Sequence, residues 1–333
     1  EMCIRDSICV NKNQHTRLLL TGATGFLGTA LKKRLADDPD IDLVLAVRRE
    51  SSGLATGIQS FVVGDLDATT DWSSALSDID VVIHTAARVH VMNDTAIDPL
   101  IDFRKVNLEG TMALARQAVK FGVKRFIFIS SIKVNGEETI IGKPFAADDE
   151  PAPRDPYGVS KAEAEQALLV LAATTGIEVV IIRPVLVYGP GVKANFRMLM
   201  KWLSKGIPLP LGLVRNKRSL VALDNLVDLI ITCIDHPAAA NQVFLVSDGE
   251  DLSTTELLQR VGKALGKSAR LIPVPASLIN YAAMLFGKRD VSKRLLDSLQ
   301  VDITKTCKLL DWAPPVSVDV ALKRTAQSFL QEK

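Results

Sequence analysis

The stretch RLLLTGATGFLG, at residues 17–28, contains the strongest structural signal in this sequence. Its apolar run at 18–20 predicts a buried strand, and apolar residues at helical spacing follow its three glycines. A strand, a glycine-rich turn and a helix in this order form the setting in which a helix N-terminus receives a dinucleotide pyrophosphate. The sequence therefore predicts a cofactor site that includes six residues of the turn: Gly22, Thr24, Gly25, Phe26, Leu27 and Gly28.

Further apolar runs follow at intervals that leave room for helices. They lie at residues 43–47, 61–67, 81–87, 125–129 and 179–182, with a late run at 243–246. Strands that alternate with helical segments predict an α/β fold, here a Rossmann-like, doubly wound parallel sheet. Because one strand comes so late, we expect a smaller C-terminal substrate-binding lobe to be interleaved with the sheet.

This reading divides the chain into three parts. Residues 1–16 are expected to be a disordered or non-native leader. Residues 17–190, with a late strand near 242–247, are expected to form the dinucleotide-binding domain. The substrate-binding lobe then consists of residues 191–241 and 248–333.

The end of the second predicted strand bears on the choice of cofactor. About 20 residues beyond the glycines, an NAD site places an acid on the ribose 2′-hydroxyl, whereas an arginine accommodates the 2′-phosphate of NADP. Arg48 occupies this position, so we expect NADP(H); Glu50 lies close enough to keep NAD(H) as the alternative. Asp65, after the third predicted strand, is either an acceptor for the adenine amino group or a simple turn former.

Tyr157 and Lys161 lie four residues apart at the predicted start of a helix. Such positions share a helix face, so the ammonium can lie near the phenol and lower its pKa. A tyrosine tuned in this way can act as an acid or base near neutral pH. The pair alone is a weak signal, but the strand at 125–129 ends in Ser130-Ser131, which adds a hydroxyl for a substrate oxygen.

Taken together, these motifs resemble the extended short-chain dehydrogenase/reductases of the nucleotide-sugar epimerase/dehydratase type. The resemblance extends from about residue 16 to the C-terminus. Besides the glycine turn it rests on Gly64-Asp65-Leu66, His84-Thr85-Ala86-Ala87, Asn107, Ser130-Ser131, Tyr157, Lys161 and residues 183–191.

The resemblance implies a role for each residue of the catalytic group. Tyr157 would transfer a proton to or from a sugar hydroxyl, Lys161 would lower the tyrosine pKa and hold the nicotinamide ribose, and Ser131 rather than Ser130 would polarise the carbonyl oxygen. The resemblance also implies that the cofactor contacts Leu66, Ala86, Ala87, Pro184 and Val185.

On the substrate side, the resemblance implies a UDP-sugar. Arg218 would hold its diphosphate and Asn195 would contact the nucleotide; the residues alone also allow a solvated basic loop for Arg218 and a helix cap for Asn195. His90 is a further candidate substrate contact.

Two departures from the sugar epimerases bear on the reaction. Where many of these enzymes have Val-Tyr-Gly and Arg-Tyr-Phe-Asn, this chain has Val134-Asn135-Gly136 and Arg183-Pro184-Val185-Leu186. The main expectation is therefore an NADPH-dependent reductase of the C4 keto group of a UDP-4-keto-6-deoxy-N-acetylhexosamine, serving cell-surface polysaccharide synthesis. A UDP-sugar 4-epimerase with retained NAD is the first alternative, and a non-catalytic NADP-binding sensor is the second.

Composition gives no sign of other classes of partner. A formal charge of +2 over 333 residues does not indicate a nucleic-acid surface.

The apolar stretch 271–287 is shorter than the roughly 20 residues that a membrane span needs, so we expect it to pack over the substrate site, with a peripheral membrane helix as the alternative. The cysteines and histidines show no metal-ligand spacing. For the four cysteines we expect a reduced set of thiols in a cytoplasmic protein. The resemblance implies a homodimer through helices near 106–119 and 161–172.

Overall fold

The computed structural model describes residues 15–50, 57–89, 98–287 and 289–332. Most of the expected leader therefore lies outside the described residues, but Thr16 already belongs to the first strand. The candidate contact His90 also lies outside them.

The strands of the described ranges form two sheets. They are β1 Thr16–Thr21, β2 Ile41–Val47, β3 Gln59–Val62, β4 Val81–His84, β5 Arg125–Ile129, β6 Glu178–Pro184, β7 Leu186–Tyr188, β8 Arg218–Ala222, β9 Gln242–Val246 and β10 Asp251–Leu252.

The larger sheet has seven strands in the order β3-β2-β1-β4-β5-β6-β9. Every neighbouring pair in it is parallel. The order reverses between β1 and β4, and such switch points open a crevice outside the carboxyl ends of the strands, where ligands bind in open α/β sheets. The prediction of a Rossmann-like α/β fold is confirmed, including the late strand.

Two strands are shorter than predicted at their carboxyl ends. The third stops at Val62 because the chain turns at Gly64, whose φ of +76° suits glycine. The fourth stops at His84, and the hydroxyl of the next residue, Thr85, donates to the carbonyl oxygen of Thr21 at 2.7 Å.

Helices cover both faces of the seven-stranded sheet and build the C-terminal part. They are α1 Phe26–Ala36, α2 Pro99–Arg104, α3 Thr111–Lys120, α4 Pro156–Thr175, α5 Ala194–Ser204, α6 Leu223–Asp235, α7 Thr254–Ala264, α8 Ala276–Leu285, α9 Arg289–Leu296, α10 Thr304–Leu310 and α11 Val318–Gln331. A π-helical turn, Lys105–Gly110, joins α2 to α3. No helix in the described part of the chain is long and apolar enough to cross a membrane.

The core alternates between the two faces, as a strand's period of two requires. Leu18 and Leu20 point to the side of α1 and α6, whereas Leu19 points to the side of α3 and α4. A third apolar cluster unites α5, α7 and α11 with the small sheet β10-β8-β7. The boundaries between domain and lobe drawn from the sequence stay a prediction.

Candidate active site

The glycine turn packs so closely that side chains are excluded from it. A Cβ on Gly22, whose φ is +71°, would lie 2.6 Å from Thr85 Oγ1 and 2.7 Å from the nitrogen of Ala86. A Cβ on Gly28 would lie 2.1 Å from the carbonyl oxygen of Gly22. The turn therefore brings backbone rather than side chains to the start of α1.

The first turn of α1 is free for an anion. Its N-cap, Gly25, makes no side-chain capping bond, and the turn contains no acidic residue. The first amide groups of a helix have no partner within the helix, and the helix dipole favours negative charge beside them. The residues present thus fit the diphosphate of a dinucleotide.

The other predicted cofactor residues share the carboxyl edge of the sheet with this turn. Arg48 follows β2, Asp65 and Leu66 follow β3, Ala86 and Ala87 follow β4, and Pro184 ends β6 just before Val185. Arg48 and Asp65 form an exposed ion pair, with 3.5 Å between Nε and Oδ1. Arg48, the residue expected to determine the preference between NADP and NAD, therefore lies beside the carboxylate of Asp65.

His84 is a packed residue inside the sheet. Its Nδ1 lies 2.8 Å from Thr21 Oγ1, and its Nε2 lies 3.0 Å from Thr111 Oγ1. Burial, with a smaller effect of Lys161, lowers the pKa of His84 to about 3, so the ring is neutral. It joins β1, β4 and α3 below the glycine turn.

Helix α4 carries the predicted catalytic residues Tyr157 and Lys161 in its first two turns. Its N-cap is Asp155, whose carboxylate accepts the amide hydrogen of Gly158 at 2.7 Å. Asp155 is also paired with Lys133, which had no assigned role in the sequence. The helix start predicted at Tyr157 is correct, and cap and ion pair together fix where it begins.

Lys161 is buried, and its ammonium is held from two sides. Nζ donates to the carbonyl oxygen of Ile129 at 2.8 Å and lies 4.2 Å from the centre of the Phe128 ring. Burial lowers the pKa of Lys161 to about 7, although Glu165 acts in the opposite direction. Near neutral pH the lysine is therefore divided between its charged and neutral forms.

Tyr157 behaves differently from the sequence expectation. Burial first, and then the charge of Asp155, raise the pKa of Tyr157 to about 12, against a smaller lowering by the Ser131 side chain. The expected lowering by Lys161 is not found; the ammonium of Lys161 donates instead to the carbonyl oxygen of Ile129. Of the two serines, Ser131 is the one that acts on the phenol, and its catalytic role stays a prediction.

Ser130 belongs to a buried polar network. Its hydroxyl donates to the carboxylate of Glu165. Arg183 donates to the same carboxylate, from Nε at 3.0 Å and from Nη2 at 2.5 Å. Arg183 also donates to Asn135 Oδ1 at 2.9 Å, and Asn135 donates to the carbonyl oxygen of Ala146. Asn135, which replaces the tyrosine of many sugar epimerases, thus links Arg183 of β6 to the backbone at Ala146.

Asn107 ties three segments together beside the tyrosine. Its amide group donates to Ser160 Oγ and to the carbonyl oxygen of Arg88, both at 3.0 Å, and its oxygen accepts the Arg88 amide hydrogen at 2.9 Å. The residue lies in the π-helical turn, a distortion often found at functional sites. The sequence singled out Asn107 as a motif residue but gave no reason for it.

The proposed substrate residues lie away from the tyrosine along the chain. Arg218 begins β8, and its Nη1 donates to the carbonyl oxygen of Asp297 at 3.0 Å. Burial lowers the pKa of Arg218. Asn195 is exposed in the first turn of α5; Lys193 is the N-cap and makes no side-chain bond, so a capping role for Asn195 is not found.

The fold and the site define a nicotinamide-dependent enzyme of the extended short-chain dehydrogenase/reductase type. Residues 18–247 match the model of the NAD dependent epimerase/dehydratase family, and the chain belongs to this family. It is 54% identical over 318 residues to UDP-glucose 4-epimerase of Vibrio cholerae, which covers 94% of this chain and 95% of that protein.

Solved structures share the fold over most of the chain. UDP-glucuronic acid 4-epimerase from Bacillus cereus, in complex with NAD, has a TM-score of 0.76 at 23% identity and covers 95% of this chain and 99% of its own. UDP-glucose 4-epimerase from Thermotoga maritima, with UDP-glucose, has a TM-score of 0.75 at 22% identity, with the same coverage. At this identity the likeness establishes the fold alone.

Proposed function

We propose that the protein is an NAD-dependent 4-epimerase that interconverts UDP-glucose and UDP-galactose. The observation that carries the proposal is that the Ser131 side chain acts on the phenol of Tyr157, whose pKa it lowers, while the buried Lys161 lies one helical turn after the tyrosine on α4. It offers two hydroxyl groups to one sugar oxygen at the carboxyl edge of the sheet. The similarity to the Vibrio cholerae epimerase, which spans nearly both chains, favours epimerisation among the reactions of this family.

In this reaction the side chains act on the C4 oxygen of the sugar. Ser131 holds the oxygen by a hydrogen bond, and Tyr157 carries the proton to and from it. When bound at the glycine turn, a nicotinamide cofactor supplies the hydride chemistry at C4. A phenol with a pKa of about 12 is a poor proton acceptor at neutral pH, so turnover requires the protonated form of Lys161 close to it.

The cofactor that we propose is NAD. Asp65 places a carboxylate 3.5 Å from Arg48, at the position where a 2′-phosphate would need an unopposed positive charge. Both groups are exposed, so the pair contributes little stability, but the carboxylate repels a phosphate. The expected preference for NADP(H) is therefore replaced here by a preference for NAD(H).

For the substrate, we propose that Arg218 binds the diphosphate and Asn195 the nucleotide of the UDP-sugar. The guanidinium of Arg218 is already oriented by the carbonyl oxygen of Asp297. A pre-oriented arginine loses less freedom when it binds a diphosphate.

The test is to incubate the purified protein with UDP-galactose without added cofactor, to stop the reaction, and then to measure the UDP-glucose formed with a separate NAD-dependent dehydrogenase step. We expect turnover from the wild type and a loss of about a thousandfold in Tyr157→Phe, because the proton carrier is gone. Tyr281→Phe, at an exposed tyrosine of α8, is the matched control and should keep its activity. An inactive wild type that retains NAD would count against epimerisation.

A 4-keto reductase is the second candidate, and one observation favours it. The phenol of Tyr157 stays protonated at neutral pH, as a proton donor to a carbonyl oxygen must. Such an enzyme would oxidise external NADPH or NADH in the presence of a UDP-4-keto-6-deoxy sugar and leave UDP-galactose unchanged. Running both assays on one preparation separates the two reactions.

A further inference from the structure

Helix α8 and the residue after it expose several large apolar side chains. Leu278, Tyr281 and Leu285 lie on one helix face and are 58%, 61% and 65% exposed, and Phe286, just after the helix, is 78% exposed. Residues 271–287 contain no charged side chain. Single exposed apolar residues are ordinary, but a continuous apolar patch marks a surface that another phase or molecule covers.

The exposed face is held in place from below. Ile279 packs against the third apolar cluster, as do Leu295 and Leu296 of α9. Before α8, the amide of Ile272 donates to the carbonyl oxygen of Leu209 at 2.8 Å. The apolar face therefore belongs to a fixed part of the structure and is directed outward.

Basic residues flank this apolar stretch on both sides along the chain. Residues 266–296 contain six basic side chains and one acidic one, whereas the whole chain carries only +2, so the remainder of the chain is net negative. Lys267 and Arg270 precede the apolar stretch, and Arg289, Lys293 and Arg294 follow it; all five are exposed. Basic side chains around an apolar helix face match the chemistry of a bilayer surface with anionic headgroups.

We propose that the surface formed by α8 and α9 docks on an anionic lipid bilayer, with Leu278, Tyr281, Leu285 and Phe286 in the interface. With ten residues, α8 can lie in the interface but cannot span the bilayer. A second copy of this chain is a poorer occupant, because a two-fold contact through α8 would bring the basic side chains of both copies together. The inference does not depend on which reaction the enzyme catalyses.

The docked orientation has a consequence for the substrate. Asp297, immediately after α9, supplies the carbonyl oxygen that orients Arg218. The proposed diphosphate site and the membrane-facing surface are therefore adjacent along one short connection. An enzyme docked in this way takes up and releases its substrate next to the bilayer.

The experiment is sedimentation of the full-length protein with vesicles of phosphatidylcholine alone and of phosphatidylcholine with 30% phosphatidylglycerol (about one anionic lipid in three). We expect binding to the anionic vesicles that weakens at high salt, because part of the attraction is electrostatic. Leu285→Ser with Phe286→Ser should reduce the partition coefficient about tenfold, and Lys293→Gln with Arg294→Gln by a similar factor.

Two control variants alter matched residues elsewhere on the surface. Val320→Ser with Leu330→Ser removes two exposed apolar groups from α11, and Lys120→Gln with Lys323→Gln removes two exposed positive charges. Both should bind vesicles as the wild type does. Light scattering after size exclusion supplies a second measurement of the wild type and of the double serine variant of α8.

Two results would overturn the proposal. One is a wild type that does not bind anionic vesicles, or whose binding is equal in the α8 variant and the controls. The other is a wild-type oligomer that the serine substitutions in α8 dissociate, since this would make the apolar face a subunit interface.

Discussion

Glu165 and Arg183 form a buried ion pair one helical turn from Lys161, with 2.5 Å between Oε2 and Nη2 and 4% of each side chain exposed. Glu165 lies one helical turn after Lys161 on α4, and Arg183 lies near the end of β6. The pair also holds Ser130 and Asn135, so it connects the strand that ends at the serines to the helix that carries the lysine.

Glu165→Gln should destabilise the protein strongly. Removal of one partner leaves the guanidinium of Arg183 buried without its counter-charge, which costs about 3–5 kcal/mol of unfolding free energy. Denaturant unfolding measures the change. The matched control is Glu163→Gln on the same helix, which removes a half-exposed pair with Arg104 and should cost about 1 kcal/mol or less. Equal losses in the two variants would contradict a special role for the buried pair.

The two adjacent serines should respond differently to alanine. Ser131→Ala should lower kcat about a hundredfold with little loss of stability, because Ser131 contacts the phenol of Tyr157. Ser130→Ala should instead lower the unfolding free energy by about 1–3 kcal/mol, because Ser130 donates to a buried carboxylate. Turnover and unfolding measured on both variants separate the two roles, and a reversed pattern would assign the catalytic hydroxyl to Ser130.

The stability that depends on Lys161 should rise with pH. Burial lowers its folded-state pKa from 10.5 to about 7, so between these values the unfolded chain binds more protons than the folded one. Because stability increases with pH wherever the unfolded state binds more protons, the unfolding free energy should grow by about 2 kcal/mol from pH 7 to 8.5. Below about pH 7 both states are protonated, and this dependence ends.

Lys161→Met provides the reference, since methionine has an unbranched side chain only one atom shorter than that of lysine and has no proton to bind. The wild type should become more stable relative to this variant as pH rises, in unfolding measured without added nucleotide. A difference that stays constant across the same range would show that the ammonium keeps an ordinary pKa.

Arg48→Ala should separate the two nicotinamide cofactors. If Arg48 meets a 2′-phosphate, its removal weakens NADPH binding about tenfold and leaves NADH binding unchanged. We expect the wild type to bind NADH more tightly than NADPH, with Asp65 limiting the contribution of Arg48. Titration of both cofactors measures these affinities. Arg49→Ala, at the next exposed residue, is the control and should leave both affinities unchanged. Tighter binding of NADPH than of NADH by the wild type would show instead that Arg48 binds the 2′-phosphate of NADP.

The backbone of the cofactor site could be predicted from the sequence because it depends on local rules. Strand, glycine turn and helix follow one another within residues 16–36, and each is specified by neighbouring residues. The start of α4 was equally accessible, since Asp155 and Pro156 are typical of a helix N-terminus. Both the glycine turn and the start of α4 can be predicted from neighbouring residues alone, without knowledge of contacts to distant parts of the chain.

The electrostatics of the site could not be predicted in this way. The spacing of Tyr157 and Lys161 suggested a lowered tyrosine pKa, but burial and Asp155 determine its direction, and burial depends on the complete fold. The partners of Glu165 are 18 and 35 residues away, so no local pattern reveals them. A glutamate one turn after the lysine on an apolar helix was the one available signal, because a charge there requires a partner.

The late position of β9 affects how the chain can be made and shortened. The strand pairs with β6 along residues 242–246, and without it β6 is an open edge of the sheet. Open edges invite pairing with other chains. A nascent or truncated polypeptide that ends before β9 therefore exposes β6 as an unpaired edge strand that can aggregate. For this reason we expect a fragment that ends at residue 190 to aggregate when it is expressed by itself.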